Sequence, residues 1–153
     1  MNSNIKKWAV SLSAIALLCG ISVLPIVNFD LQASAWEDSE LVTSGTAGNF
    51  SFSIQNGKAT LTDYTGSDTV VTVPETVSTT TKTTPPQTVS VPVTALEQTF
   101  YDNSNITSVT IPDGITTIGY NTFTYCNNLK TVSHGKKLQD IGENAFSSCS
   151  ALE

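Results

Sequence analysis

Arginine is absent from this 153-residue sequence, and charged residues of all kinds make up only 13% of it. The seven basic residues are all lysines and stand against thirteen Asp and Glu, which gives a formal net charge of −6. Nucleic acids and anionic lipid surfaces are recognised mainly through arginine forks and clustered lysines. We therefore predict no nucleic-acid partner, and we read the acidic surface as one that keeps the protein in solution.

Cysteine and histidine are also scarce, with three Cys and one His in the whole chain. Two of the cysteines, Cys126 and Cys149, lie outside the amino-terminal segment, which is too few for a disulfide framework. No glycine-rich phosphate loop, HExxH or GxSxG pattern occurs, and no motif places a nucleophile or an orienting acid beside His134. We predict no catalytic residue, no cofactor and no metal site.

Residues 1–35 have the layout of a secretory signal peptide. Lys6 and Lys7 precede an almost uncharged run, Trp8 to Phe29, and Ala33-Ser34-Ala35 then provides a cleavage signal. The alternative is an uncleaved membrane anchor, because the run is about 20 residues long and could span a bilayer. We predict cleavage, a secreted or cell-surface location and no membrane insertion afterwards.

A period of 23 residues runs through the last third of the chain. The stretch NTFTYCNNL at Asn121–Leu129 is followed by NAFSSCSAL at Asn144–Leu152, and the apolar positions recur while the intervening residues differ. Such a pattern indicates a core register of stacked structural repeats. The predicted repeat core comprises Ile106, Val109, Ile111, Ile115, Ile118, Phe123, Cys126, Leu129, Val132, Leu138, Ile141, Phe146, Cys149 and Leu152.

Each repeat is too short and too rich in Ser, Thr and Asn to bury an apolar face alone. Val109-Thr110-Ile111 alternates as a half-buried strand does, and Gly119 and Gly142 fall where the chain must bend sharply. Stacking buries the apolar ring of each unit on the next, with strands about 4.8 Å apart. We therefore interpret each unit as one turn of a solenoid.

Two segments carry a family resemblance, namely ITSVTIPDGITTIGYNTFTYCNN at 106–128 and LKTVSHGKKLQDIGENAFSSCSA at 129–151. They resemble the BspA-type leucine-rich repeat family in period, apolar ring, Ile-Gly turn and F-x-x-C ending. The resemblance implies a β-rich leucine-rich-repeat solenoid with a parallel β-sheet. It also implies a bacterial, non-catalytic secreted or cell-surface protein that acts in adhesion or protein–protein interaction.

Upstream of the regular repeats at 106–153, the organisation is less even. Residues 71–105 are interpreted as an irregular first repeat with a Thr-rich loop at 78–88. Residues 36–70 are interpreted as a mobile leader, up to Gly48, and an N-terminal β-hairpin cap that turns at Asn56-Gly57.

Glu153 lies two residues into what would be a third regular unit. A stack that stops there exposes an apolar ring and a strand edge, which invites aggregation. We therefore expect this sequence to be part of a longer protein, with its third unit truncated.

Cys126 and Cys149 occupy the same position on adjacent units. Stacked parallel strands hold Cβ atoms about 4.8 Å apart, which is longer than the roughly 3.8 Å typical of a disulfide. We predict two free buried thiols. His134 falls in the inward slot that Ile111 occupies one unit earlier, and we expect its ring to lie in a roomy core position and to point partly toward solvent.

The remaining candidate for function is the outer face of the sheet, formed by Ser108, Thr110, Thr131 and Ser133. Parallel strands in a solenoid make a continuous surface that such proteins use for partners, here an unidentified protein or glycan. A merely solvated sheet face is the alternative, since no Trp, Tyr or Arg stands among these four residues. Two other functions stay open: an accessory module of a longer secreted hydrolase, and a structural spacer.

Overall fold

The computed structural model describes residues 36–153, so the predicted signal peptide lies outside the described residues. Within this range the chain forms ten β-strands and a single short 3-10 helix, Asp38–Glu40, with no α-helix. The strands are β1 Ser44–Ala47, β2 Phe50–Gln55, β3 Lys58–Tyr64, β4 Val70–Thr72, β5 Thr76–Thr80, β6 Thr88–Leu96, β7 Ser108–Ile111, β8 Thr117–Ile118, β9 Thr131–His134 and β10 Asp140–Ile141.

Consecutive repeat units stack through parallel strands. Val109 of β7 lies opposite Val132 of β9, and Ile118 of β8 lies opposite Ile141 of β10. Both pairs are 23 residues apart, so the sequence period is also the register of the ladder. The predicted β-rich architecture with parallel strands is confirmed.

One further unit precedes these two. Strand β4 pairs in parallel with β7, and the end of β6 pairs in parallel with β8 through Leu96 and Ile118. Between β4 and the end of β6 the chain makes an antiparallel hairpin of β5 and β6. The predicted Thr-rich loop at 78–88 is therefore strand only at its two ends, 78–80 in β5 and Thr88 in β6, and residues 81–87 connect the two strands. Val77 and Thr79 alternate inward on β5, and Val89 does so on β6.

The segment before β4 is built around the β2–β3 hairpin. Gln55 pairs with Lys58, and between them Asn56 and Gly57 have φ values of 53° and 68°. Positive φ at both turn residues is the requirement of a type I′ hairpin turn, which Asn-Gly meets. Strand β3 then lies parallel to β6, so the hairpin continues the sheet of β6, β8 and β10.

Residues 36–48 are docked, and the expectation of a mobile leader is corrected. Leu41 has no exposed surface and bridges Thr81, while β1 pairs with β2 along its whole length. The Asp38 carboxylate accepts the backbone N–H groups of Asn56 and Gly57 at 2.6 and 3.1 Å. The β1–β2 pairing, one buried leucine and these two charge-assisted bonds hold a segment whose composition is typical of a loop.

A row of phenyl rings runs through the core. Phe100 and Phe123 stack with centroids 5.2 Å apart and an interplanar angle of 6°, and Phe123 and Phe146 stack at 5.1 Å and 14°. Tyr64 extends the row, with its ring 5.3 Å from that of Phe100. Aromatic contact therefore joins the hairpin to all three units.

Each unit turns through two residues in the left-handed region. Gln98, Asn121 and Asn144 have φ of 50°, 51° and 57°, and a second set, also spaced by 23, follows at Asp102, Tyr125 and Ser148 with φ of 56°, 65° and 60°. The sharp bend is therefore made at these positions. Gly119 serves another purpose, since a Cβ there would meet the Leu96 carbonyl oxygen at 2.7 Å. The glycine is required by the close approach of the neighbouring unit.

Candidate interaction site

The outer face of the three-stranded sheet β4-β7-β9 carries small hydroxyl side chains in register. Ser108 lies opposite Thr131, and Thr110 lies opposite Ser133. Three of these predicted face residues are exposed and Ser108 is half-buried. The Thr131 hydroxyl donates to the Ser108 hydroxyl at 2.9 Å, so part of the face satisfies its own hydrogen bonds. This surface is polar, and it lacks a large anchor side chain.

Two exposed tyrosines lie on neighbouring units outside that face. Tyr101 is 48% exposed and Tyr125 is 45% exposed, and their rings contact edge to face with centroids 5.8 Å apart. The Tyr125 backbone has φ of 65°, so the turn itself sets the direction of its side chain. A pair of exposed aromatic rings in contact is the kind of anchor that dominates protein interfaces. We call Tyr101 and Tyr125 the tyrosine pair.

Eight of the residues predicted as repeat core have at most 2% exposure, and four more are half-buried and pack against the core. The buried ones are Ile106, Val109, Ile111, Ile115, Ile118, Phe123, Cys126 and Leu129. The half-buried ones are Val132, Leu138, Phe146 and Cys149.

Two predicted core residues are instead exposed, Ile141 by 61% and Leu152 by 38%. Ile141 belongs to the unit at 129–151 and Leu152 begins the truncated third unit, and no further unit covers either residue within residues 36–153. The prediction that these two side chains are buried is corrected. They occupy core positions of the repeat, but a neighbouring unit on only one side leaves them exposed to solvent.

The two thiols are free and bond across units. Cys126 Sγ donates to the Phe100 carbonyl at 2.9 Å, and Cys149 Sγ donates to the Phe123 carbonyl at 3.0 Å. Burial raises the pKa of the Cys126 thiol to about 12 and also raises the pKa of Cys149. Because the thiolate is the reactive form, both groups are structural donors and poor nucleophiles.

His134 is exposed, and its Nδ1 lies 3.0 Å from the Gly135 carbonyl oxygen. The ring thus leaves the slot that Ile111 fills in the unit before. Residues 36–153 contain no group of three or more His, Cys, Asp and Glu side chains close enough to hold a metal ion.

Sequence reasoning missed the tyrosine pair, because the two residues are 24 apart and fall outside the 23-residue register. Part of the signal was nevertheless present. Neither Tyr101 nor Tyr125 falls at an apolar core position of the repeat, and a large aromatic side chain outside the core register is a candidate for an exposed contact residue.

Comparison with protein-family models identifies the repeats. Residues 94–153 match the family described as a BspA type leucine-rich repeat region of six copies. This match begins within β6, upstream of the first segment in which the sequence repeats clearly.

A leucine-rich repeat protein from Bacteroides capillosus, known from a crystal structure, is 34% identical, with a TM-score of 0.62 over 72% of this chain and 79% of that one. The chain belongs to the BspA-type leucine-rich repeat family. The resemblance stated from the sequence is thereby confirmed. No curated protein matches the chain.

Two further structures extend the comparison within leucine-rich repeat proteins. A leucine-rich cell surface protein from Faecalibacterium prausnitzii is 33% identical with a TM-score of 0.60, and the match covers 71% of this chain and 29% of that one. The leucine-rich repeat protein of T. pallidum is 22% identical with a TM-score of 0.59, and the match covers 71% of this chain and 47% of that one. The latter likeness shows the fold alone.

No helix in residues 36–153 of this BspA-type chain is long and apolar enough to cross a membrane.

Proposed function

We propose that this protein is a non-catalytic, secreted or cell-surface repeat protein that mediates protein–protein interaction or adhesion. The observation that carries the proposal is the tyrosine pair, Tyr101 and Tyr125, held on adjacent units by turns of fixed geometry. Large aromatic side chains at fixed positions lose little conformational entropy on binding and supply much contact area. The name of the Faecalibacterium relative, a cell surface protein, supports the location.

In this proposal the hydroxyl face formed by Ser108, Thr110, Thr131 and Ser133 supplies additional polar contacts to the ligand. Small hydroxyls adapt to several hydrogen-bond geometries, while the tyrosines provide the anchors. The ligand is a protein or a glycan at the cell surface.

The proposal includes a solenoid that is capped at its amino end by the β2–β3 hairpin. Two observations support the cap: β3 continues the parallel ladder beyond β6, and Phe50 and Tyr64 cover the ring of Phe100 at 6.1 and 5.3 Å. A terminal unit with its own side-chain cover protects the first apolar ring of a stack. Cleavage after Ala35 would leave Trp36 as the first residue, fourteen residues before the cap begins at Phe50.

The test is binding of the full chain to arrays of immobilised extracellular proteins and of glycans. We expect a specific signal that Tyr101→Ser with Tyr125→Ser reduces at least tenfold, because anchor residues each contribute about 2 kcal/mol or more. Tyr120→Ser is the matched control, since Tyr120 is also 45% exposed but makes no aromatic contact with the pair among the described residues.

Equal loss in the control would assign the binding to non-specific aromatic adhesion and contradict the proposal. Release of sugars or peptides from the array by the full chain would instead favour a hydrolase. Absence of binding on both arrays would favour the structural spacer.

A further inference from the structure

Strand β4 has one paired edge and one free edge. On the β7 side, the Thr69 carbonyl accepts the N–H groups of Thr107 and Ser108 at 2.7 and 3.2 Å, and the Val73 N–H donates to the Thr110 carbonyl at 2.9 Å. Alternate residues of an extended strand direct their backbone groups to opposite sides. Val70 and Thr72 therefore direct their N–H and C=O groups away from β7, where no strand of residues 36–153 pairs with them.

A groove lies beside this free edge. It has a volume of about 280 Å³ and is bounded by β4 on one side and by the turn from β1 to β2 on the other. The aromatic rings of Phe50 and Tyr64 line it, together with Val70, whose side chain is 64% exposed. The volume is below the roughly 300 to 1,000 Å³ of small-molecule sites, so the groove suits one or two side chains.

The groove carries negative charge and no positive charge. Asp68 is the one Asp or Glu among its lining residues, and no lysine lines it. The Tyr64 hydroxyl donates to Asp68 Oδ2 at 2.7 Å, which holds the carboxylate in place at the rim. An acidic rim next to an apolar floor favours a ligand in which a cationic side chain adjoins an apolar one.

We propose that the free edge of β4 is a strand-addition site for an extended segment of a partner protein. The segment pairs with the backbone groups of Val70 and Thr72, places an apolar side chain in the groove and directs a Lys or Arg toward Asp68. Main-chain bonds at a sheet edge supply affinity in this recognition mode, and the pocket for an alternate side chain supplies specificity. The inference goes beyond the tyrosine pair and does not depend on it.

A fluorescent capped peptide, Thr-Val-Thr-Val-Lys-Thr, is the probe, and its anisotropy is measured with the full 153-residue chain. Val70→Pro removes the outward N–H without touching the bonds to β7, and proline is tolerated at such an edge position. We expect Val70→Pro to weaken binding about tenfold. Val70→Thr is the matched control, since it keeps the N–H and the β-branched shape, and we expect a smaller loss.

Two further experiments vary the peptide and test the backbone hydrogen bonds and the charge interaction, so they do not depend on how a proline variant folds. A peptide N-methylated at its central residues cannot donate to the edge, and we expect it to bind at least tenfold more weakly. Replacing the peptide lysine by glutamate should weaken binding to the native chain and have a smaller effect on Asp68→Asn, most clearly at low salt.

Saturable binding that responds to the N-methyl groups and to Asp68 as stated supports the inference. No saturable binding, or equal binding of the N-methylated peptide, overturns it. A further outcome also overturns the inference: the peptide does not bind, sedimentation detects self-association of the chain, and Val70→Pro abolishes that self-association. The occupant of the edge is then a second copy of this chain.

Discussion

At the scale of single residues, the 23-residue spacing of apolar side chains was enough to predict which positions pack inward. Phe123 and Ile118 show why, since an aliphatic or aromatic side chain is excluded from water in whichever unit it falls. Backbone conformation was much less predictable. Gln98 and Tyr125 adopt left-handed φ although neither residue type favours it. The stack stabilises that geometry through hydrogen bonds to the next unit, such as the one that the Gln98 N–H donates to the Tyr120 carbonyl at 3.0 Å.

The two cysteines give a prediction at this scale. In native protein, iodoacetamide should alkylate Cys149 faster than Cys126, because Cys126 is fully buried and burial raises the pKa of its thiol to about 12. Only the thiolate reacts, so the rate at Cys126 should still be rising with pH well above 9, where an ordinary thiol has levelled off. Peptide-resolved mass spectrometry measures both rates.

The same measurement in concentrated urea is the control, since unfolding removes the burial and should make the two rates equal. Faster native alkylation of Cys126 than of Cys149 would contradict the burial described for the two thiols.

At the scale of elements, the regular strands were predictable and their exceptions were not. Alternation at Val109-Thr110-Ile111 gives β7, and Asn56-Gly57 gives the β2–β3 turn. Residues 78–80 and Thr88 were predicted to belong to a Thr-rich loop, yet they are strand residues, because buried Val77 and Val89 beside them supply the needed alternation. Threonine is a favourable strand residue, and the loop interpretation gave its hydroxyl too much weight.

Gly119 provides the prediction at this scale. Gly119→Ala should lower the free energy of unfolding by about 1–3 kcal/mol, because the added methyl group meets the Leu96 carbonyl and forces two units apart. Gly114→Ala is the matched control, since its nearest contact, at 3.5 Å to the Val93 carbonyl, is ordinary packing. Urea unfolding followed by circular dichroism measures both variants, and equal stabilities would refute the close approach at Gly119.

At the scale of the whole molecule, the parallel stacking of repeats could be predicted from periodicity. The docking of residues 36–48 could not, because it depends on the β1–β2 pairing, on one buried residue, Leu41, and on the Asp38 bonds to a hairpin turn. The tyrosine pair and the β4 groove could not be predicted from the sequence either. Each is created by residues that the fold brings together from different units or from different sides of a hairpin.

Hydrogen exchange should reveal a gradient along the stack. The N–H groups of Gly119 and Gly142 each donate to the preceding unit at 2.7 Å, so their hydrogen bonds are matched. We nevertheless expect Gly142 to exchange at least tenfold faster in the 153-residue chain, because its unit is covered on one side and opens at lower free energy. Thr107 and Lys130 form a second matched pair, and NMR resolves all four amides. Equal exchange within both pairs would indicate that all units open together.

The register of β7 on β9 and of β8 on β10 has a mechanical consequence. The backbone hydrogen bonds between these strands run along the stacking direction. Tension between the ends of the molecule therefore breaks the strand pairs one after another. One folded unit adds about 4.8 Å to the length of the stack. The same 23 residues, pulled straight, span about 76 Å. A repeat protein built in this way can lengthen roughly sixteenfold at each unit that unfolds under tension, and so extend while the other units stay folded.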